Sequence, residues 1–445
     1  MPFPRDSRDV CGTGAIVQLA AADEMAPPIM HLLRTFVVLP HPSLFVVSIV
    51  CLAEILSMTP FSMFVALQPQ LQGAWRLSNT ESGWISSAYF TGYMLAVPVL
   101  GSLTDRIDAR RVWLAACALA GAGSLGFATL AADAWTAAAF QLVTGAGLAG
   151  TYMPGLKVIT DRVAAIPPPR HVAFYTTSFT VGSSLSFWII GQLDAVFSWR
   201  TAVSVSAAGP LIGCALMYLA LRPVPVPSRE AVHSGAHIAS VLRSADSMRY
   251  VIGYAAHVWE LFALRAWVVP FVAFCQTLRD DASPVSFATL AALVSLVGVP
   301  ASLAGAELST RVQRRRLIAG VMLASIGFGL LVVPAAQVSW TLVIASVCAY
   351  SALISADSAA LTSGIVAVAP PASRGTAMAM YSTVGFAAAS GGTFVVGFIL
   401  DALGGQSVTS WTAAFAVMTL PNLVGAFALA RSREVVDEKR ADGEW

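Results

Sequence analysis

The sequence predicts an all-α integral membrane protein: twelve transmembrane helices in two pseudo-symmetric six-helix bundles around a central cavity. Three observations carry this. Charged residues make up 11% of the 445 positions and hydrophobic residues 57%, whereas a soluble domain carries about 25% charged residues. So few charges cannot cover a water-facing surface, and a lipid-facing one explains the deficit. A window of about 19 residues finds twelve apolar stretches of bilayer-spanning length. The second six of these repeat features of the first six.

The elements follow in order. Residues 1–42 mix Arg5, Asp6, Arg8, Asp9, Asp23 and Glu24 with one short apolar piece, GAIVQLAAA, too short for the roughly 18 residues a span needs. They are expected to form a disordered cytoplasmic tail, or to reflect a start placed ahead of Met25 or Met30. The apolar stretches lie near 43–66, 82–103, 112–132, 134–158, 171–193, 199–221, 249–275, 285–306, 316–335, 339–367, 375–400 and 409–430, numbered here as spans 1 to 12. Spans 3 and 4, and spans 9 and 10, nearly abut, so their boundaries are the softest. Gly, Ala, Ser and Pro inside the spans suit close helix packing in lipid. Six-helix bundles are therefore expected at 43–221 and 249–431, joined by a cytoplasmic linker at 222–248, with a short tail at 432–445. The linker opens with RPVPVPSRE, whose prolines favour extended backbone.

The basic residues orient the bundle. With the N-terminus inside, 22 of the 26 Lys and Arg residues fall in the tails and inner loops, and Arg265 lies within a span. Only Arg76, Arg200 and Arg279 remain for the outer loops. Positive charge is retained on the cytoplasmic side, so both termini are expected to be cytoplasmic, in a bacterial inner membrane. The net charge of +2 gives no reason to expect nucleic acid. The expected partners are the bilayer and a small molecule, and the chain is expected to be monomeric. Six widely spaced cysteines without a C-x-x-C pair read as packing residues rather than a disulfide framework.

The halves also match residue by residue. GSLTDRIDARRV after span 2 and AELSTRVQRRRL after span 8 align at a shift of 205 positions, pairing Leu103 with Leu308, Arg106 with Arg311, Arg110 with Arg315 and Arg111 with Arg316. A shift of 206 pairs Glu54 of span 1 with Glu260 of span 7. Parallel repeats of this kind place a binding site between them near the bilayer midplane.

GSLTDRIDARR (101–111) resembles the signature loop between helices 2 and 3 of the major facilitator superfamily, G-x-L-x-D-R-x-G-R-[KR]-[KR]. Gly101, Leu103, Asp105, Arg106, Arg110 and Arg111 match; Asp108 replaces the second glycine and Ala109 the arginine after it. The second copy keeps the arginines but carries Thr310 where the acid belongs. The resemblance extends over 43–431 in span count, linker and repeat. It implies a transporter working by alternating access, in which Asp105 pairs with inner-surface arginines such as Arg311 when the cavity faces outward. The competing reading is that these arginines only set topology. Two departures disfavour a drug antiporter: Gln141 stands where such proteins carry an arginine in helix 4, and span 5 lacks their glycine–proline pair.

Five ionisable groups lie within spans: Glu54, His257, Glu260, Arg265 and Asp357. A charge at mid-bilayer costs a few kcal/mol or more, so it faces a polar cavity or a partner. By the resemblance, helices 1, 4, 7 and 10 line the central cavity, and these five groups occupy three of them. His257 and Glu260 are one turn apart and are expected to share a face. Arg265 lies roughly 140° from Glu260, with Asp357 or Glu54 as candidate partners. A surplus of buried acid suits proton coupling, with the proton as coupling ion and no other cofactor, or a cationic substrate; a structural salt-bridge set is the alternative. Gln141 and Tyr152, with Trp259 and Trp267, are further candidates for the pathway or for plain packing.

GAGSLG (121–126) and GAGLAG (145–150) fit G-x-G-x-x-G but lie inside apolar spans, so they read as packing glycines. No catalytic or nucleotide-binding motif is present, and His257 with Glu260 is too small a set for zinc. The expectation is a proton-coupled secondary transporter and not an enzyme. An uncoupled facilitator or organic-anion carrier using Arg265 is the first alternative, and a transporter-like receptor or scaffold the second.

Overall fold

The computed structural model describes residues 42–163, 168–225, 234–370 and 373–431. The expected tails therefore lie outside the described residues, apart from 42 itself, and so does the 226–233 stretch of the linker. From Val46 onward the described residues belong to one compact unit.

Every predicted span is helical. Span 1 runs as Pro42–Ser57, a run of turns, a short 3-10 segment at Val65–Leu67 and Gln68–Trp75. Spans 2 to 7 are Asn79–Leu103, Ala109–Leu130, Ala134–Thr160, Pro168–Val196, Trp199–Ala220 and Ala245–Arg279. Span 8 is broken at Val297 (Phe287–Leu296, Gly298–Arg311), span 9 is Arg314–Ala336, and span 10 is broken at Asp357 (Trp340–Ala356, Ser358–Val368). Span 11 is Arg374–Ala402, and span 12 is broken at Leu420 (Val408–Thr419, Pro421–Ala430). Among the described residues, spans 3 and 6 to 12, the broken ones taken whole, are long and apolar enough to cross a membrane by length and composition alone.

Local chemistry sets where the helices begin. Each even-numbered span starts at a side-chain N-cap: Ser78, Asp133, Ser198, Ser286, Ser339 and Ser407. Each of these side chains accepts a hydrogen bond from a backbone N–H of the first turn, satisfying a donor that has no partner in the helix. Ser78 with Glu81 forms a full capping box. These starts share one end of the bundle, here called the capped end. The other end, with the arginine-rich loops, is the basic end.

The linker departs from the extended reading. Residues 221–225 have no regular secondary structure, with Leu221 extended, but Ser234–Arg243 is a helix packed against spans 7 and 11, with Val241 fully buried. Once past the prolines the chain has an apolar side chain to bury, and a helix turns it inward.

Within the first half, spans 2, 3 and 4 pack together and span 6 lies on span 3; within the second, span 7 packs on 11 and 12, and span 9 on 10 and 12. The halves meet through spans 2 and 11 and through spans 5 and 8. Small residues allow this closeness, as the sequence predicts. A Cβ on Gly145 would fall on the Tyr89 carbonyl of span 2, and one on Gly397 on the Asn79 carbonyl. Large apolar side chains such as Leu95, Leu130, Leu331 and Phe427 are exposed around the periphery. On a water-facing surface so much apolar area would drive association; against lipid it is at home. The five described cysteines are free thiols.

Candidate functional site

A central cavity, about 770 Å³ of empty space including its mouth, lies between the halves. On span 7 its lining follows one stripe: Tyr254, His257, Val258, Leu261, Phe262 and Arg265. That is the i, i+3, i+4, i+7 spacing of a single helix face. Across from it stand Tyr93, Tyr152, Phe179 and Phe386, and hydroxyl groups of Thr176, Thr180, Ser302, Ser355, Ser358 and Ser382 complete the wall. The cavity is thus aromatic and hydroxylated. Spans 2, 4, 5, 7, 8, 10 and 11 all contribute, a wider set than the four helices the resemblance implied.

Among the described residues Arg265 is the one arginine or lysine in this wall. It is 8% exposed, and among the described residues it has no acidic partner. Its guanidinium lies 5.6 Å from the centre of the Phe262 ring. The expectation that it would pair with Asp357 or Glu54 does not hold. Asp357 sits in the break of span 10, where its Oδ1 lies 2.7 Å from His257 Nδ1. Glu54 accepts hydrogen bonds at Oε2 from the Tyr175 hydroxyl (3.0 Å) and the Ser57 hydroxyl (3.3 Å).

Nor do His257 and Glu260 share surroundings. They differ by 60° round the helix, enough to put Glu260 outside the cavity stripe and into the interior of the second half. There it accepts from the Tyr350 hydroxyl (2.9 Å), the Ser325 hydroxyl (3.2 Å) and the Asn422 amide. Glu54 and Glu260, paired by the repeat, are both fully buried behind the cavity wall. Tyr152 lines the cavity, whereas Gln141 lines a smaller void beyond it. Trp259 and Trp267 donate to the carbonyls of Val417 and Thr393 and serve packing.

The signature loop divides in two. Asp105, Arg106 and Arg111 are exposed, and Asp105 and Arg106 make no ion pair among the described residues. Arg311 pairs with Glu307 on its own helix at 2.7 Å. Arg110 is buried instead and donates to the Tyr218 carbonyl (2.7 Å), while a Cβ at Gly101 would meet nothing within 4 Å. Asp108, which the sequence marked only as a departure, caps span 3 and forms a buried ion pair with Arg162 at 3.0 Å. Burial works to raise the pKa of its carboxyl. The backbone N–H groups of Arg110 and Val224 and the Arg162 guanidinium outweigh that and hold it below the ordinary carboxylate range.

A contact at the capped end was not foreseen. Asp401, at the end of span 11, accepts from the Asn79 backbone N–H (3.1 Å) and side-chain amide (2.8 Å), and from the Thr80 backbone N–H (2.7 Å) and hydroxyl (2.6 Å). It caps the first turn of span 2 across the boundary between the halves. An acid just before the Gly404–Gly405 turn was its one signal in the sequence. Deeper in, Thr91 bonds Ser390 (2.8 Å), and Ser184 donates to the Ala292 carbonyl (2.7 Å).

Two pseudo-equivalent helical halves around a cavity are matched by known proteins. The Major Facilitator Superfamily model aligns with residues 50–278 and again with 261–445. The chain belongs to the major facilitator superfamily. Protein spinster homolog 3 of Danio rerio is 23% identical over 431 residues, covering 89% of this chain and 86% of that protein. Other spinster proteins match over about half of their own length. The 3-(3-hydroxy-phenyl)propionate transporter of Escherichia coli (strain K12) is 31% identical over 156 residues, 34% of this chain and 36% of that one. Among solved structures, a bacterial homolog to the human lysosomal transporter Spinster, in an inward-facing and unoccupied conformation, superposes with a TM-score of 0.68 at 15% identity. That match covers 87% of this chain and 95% of the other. As a member of this superfamily the chain is a multi-pass membrane transporter of small solutes and not an enzyme.

Proposed function

We propose that this transporter carries small organic anions with an apolar, preferably aromatic, body across a bacterial inner membrane by alternating access, coupled to protons. Arg265 carries the reading. A guanidinium buried without an acid is costly, and the cavity it faces offers aromatic surface and hydroxyls but no carboxylate to neutralise it. A substrate carboxylate supplies the missing charge, and planar guanidinium binds carboxylate with two parallel hydrogen bonds. The partial likeness to a phenylpropionate carrier supports the same substrate class.

In this reading the basic end is cytoplasmic, because arginine-rich loops stay inside. Contact between the halves at the capped end then makes the conformation inward-facing, in keeping with the lack of an ion pair at Asp105 and Arg106 among the described residues of the other end. Proton coupling rests on Glu54 and Glu260, two buried acids with no basic partner among the described residues. A group of that kind at membrane depth is a candidate proton carrier.

Binding is tested on detergent-purified protein by calorimetry with 3-phenylpropionate, a nucleoside and a sugar. The expected result is that only the acid binds. Arg265→Gln should weaken it about 10- to 150-fold, the worth of a charge-assisted hydrogen bond of about 1.5–3 kcal/mol. Equal affinity in the variant refutes the anion site. In proteoliposomes, Glu54→Gln or Glu260→Gln should abolish gradient-driven accumulation and spare exchange; accumulation by both variants refutes coupling through these acids.

A further inference from the structure

Beyond the cavity, towards the capped end, lies a second and smaller void, lined by Phe61, Ser62, Ser86, Tyr89, Phe90, Gln141 and others. Arg265 belongs to the walls of both. Between them stands an aromatic partition that joins the halves. Phe90 of span 2 packs on Phe262 of span 7 (ring centres 4.6 Å apart), and Phe61 of span 1 lies 6.4 Å from the same ring. Arg265 is thus the polar group that passes through an apolar seal.

The polar groups of this void are not satisfied. Gln141 is 2% exposed and Ser86 3% exposed, yet Gln141 Oε1 and Ser86 Oγ have no hydrogen-bond partner among the described residues. Buried polar atoms are almost always paired, and an orphan calls for an explanation. Other hydroxyls here are used: Ser62 shares a 2.8 Å hydrogen bond with Ser186. Gln141 stands where related drug antiporters carry an arginine, so this position holds a neutral hydrogen-bonding group beside a cation supplied from span 7.

We propose that Gln141 and Ser86 form a hydroxyl-recognition subsite and determine specificity. A substrate whose carboxylate sits on Arg265 places a second, hydroxyl-sized polar group past the guanidinium, against Gln141 and Ser86. The inference rests on the anion reading of Arg265 and narrows it to hydroxylated organic acids. The void admits a group of about the size of one water, so a hydroxyl fits and a second carboxylate does not. A hydroxyl also both donates and accepts, which suits an amide in either orientation and a serine. Sites built to bond a hydroxyl discriminate strongly against analogues lacking it, because their own buried groups are then left unpaired.

The test compares 3-phenylpropionate with its three ring-monohydroxylated isomers, each titrated calorimetrically into the wild-type protein and into Gln141→Met, Gln141→Leu and Ser86→Ala. Wild type is expected to bind at least one hydroxylated isomer ten times or more tighter than the parent acid. The two Gln141 variants should lower that ratio to below about three while binding the parent acid as wild type does, which also shows that they fold. Ser86→Ala should lower it partway. No preference in wild type, or a preference that survives in both Gln141 variants, overturns the proposal. A parent acid that fails to bind, or that binds Arg265→Gln unchanged, overturns the anion reading instead.

Discussion

Asp401 is an exposed element of the contact between the halves, and removing it should release the capped end. Its carboxylate accepts four hydrogen bonds from Asn79 and Thr80 at the start of span 2. Two of the donors are first-turn backbone N–H groups, where a helix carries partial positive charge worth about 0.3–1 kcal/mol to an anion. Hydrogen bonds to a charged acceptor contribute about 1.5–3 kcal/mol when shielded, but this site is exposed to water, which cuts such terms to about 1 kcal/mol or less. Together they favour the closed capped end by about 2 kcal/mol. Asp401→Ala should therefore shift the closed-to-open ratio about 30-fold, since 1.4 kcal/mol is a factor of ten. Spin labels at Ala132 and Gln337, on turns of the two halves at that end, would report the change by double electron–electron resonance as a new long-distance population. Thr80→Ala removes one of the four donors, the hydroxyl, and leaves the backbone N–H, and should give a smaller shift. Unchanged distance distributions in Asp401→Ala would refute the reasoning, since four hydrogen bonds between the halves would then contribute nothing to their equilibrium.

Two further outcomes follow from packing and charge. Gly145→Ala forces a methyl group onto the Tyr89 carbonyl; overpacking of this kind costs about 1–3 kcal/mol. It should lower the apparent Tm in detergent, whereas Gly320→Ala, where a Cβ meets nothing within 4 Å, should be silent. The Asp108 carboxyl is held below the ordinary range in the folded protein. Its contribution is thus fully present above the unfolded value near pH 4 and lost as the pH falls through the lower folded value. Asp108→Asn leaves Arg162 buried without its counterion, at a cost of about 3 kcal/mol, and should flatten the acid limb of a Tm-against-pH curve. An unchanged acid limb would mean that this ion pair does not govern it.

How much could be read from the chain depends on which force sets each feature. The bilayer fixes span length, so hydropathy placed twelve helices where the structure has them. The breaks at Val297 and Leu420 stayed hidden, because apolar sequence continues through both, and Asp357 was legible as a charge within a span but not as a break. Residue type and depth were enough to single out Arg265, His257 and Asp357. Their pairing was not legible, since sequence distance gives an angle on one helix and says nothing of what stands on the next. The 60° between His257 and Glu260 decided the matter: one faces the cavity, the other the interior of its own half. Asp108 was visible only as an exception to a motif, and its role became clear once Arg162, 54 positions away, was found beside it.

The layout of the second half gives its charges a mechanical meaning. Arg265 and His257 ride on Ala245–Arg279, an unbroken helix of 35 residues, whereas the facing wall is built at helix breaks. Gly298 follows the break of span 8, Ser355 and Ser358 flank the break of span 10, and all three line the cavity. A side chain added at Gly298 would meet the Ser355 hydroxyl, so the two breaks lie against each other. Val297 and Asp357 keep right-handed helical dihedrals, so each span continues in the same helical sense past its interruption. In the anion-carrier reading proposed above, Arg265 on the unbroken helix is the fixed point of the site, since it belongs to the wall of the cavity on one side of the aromatic partition and of the small void on the other.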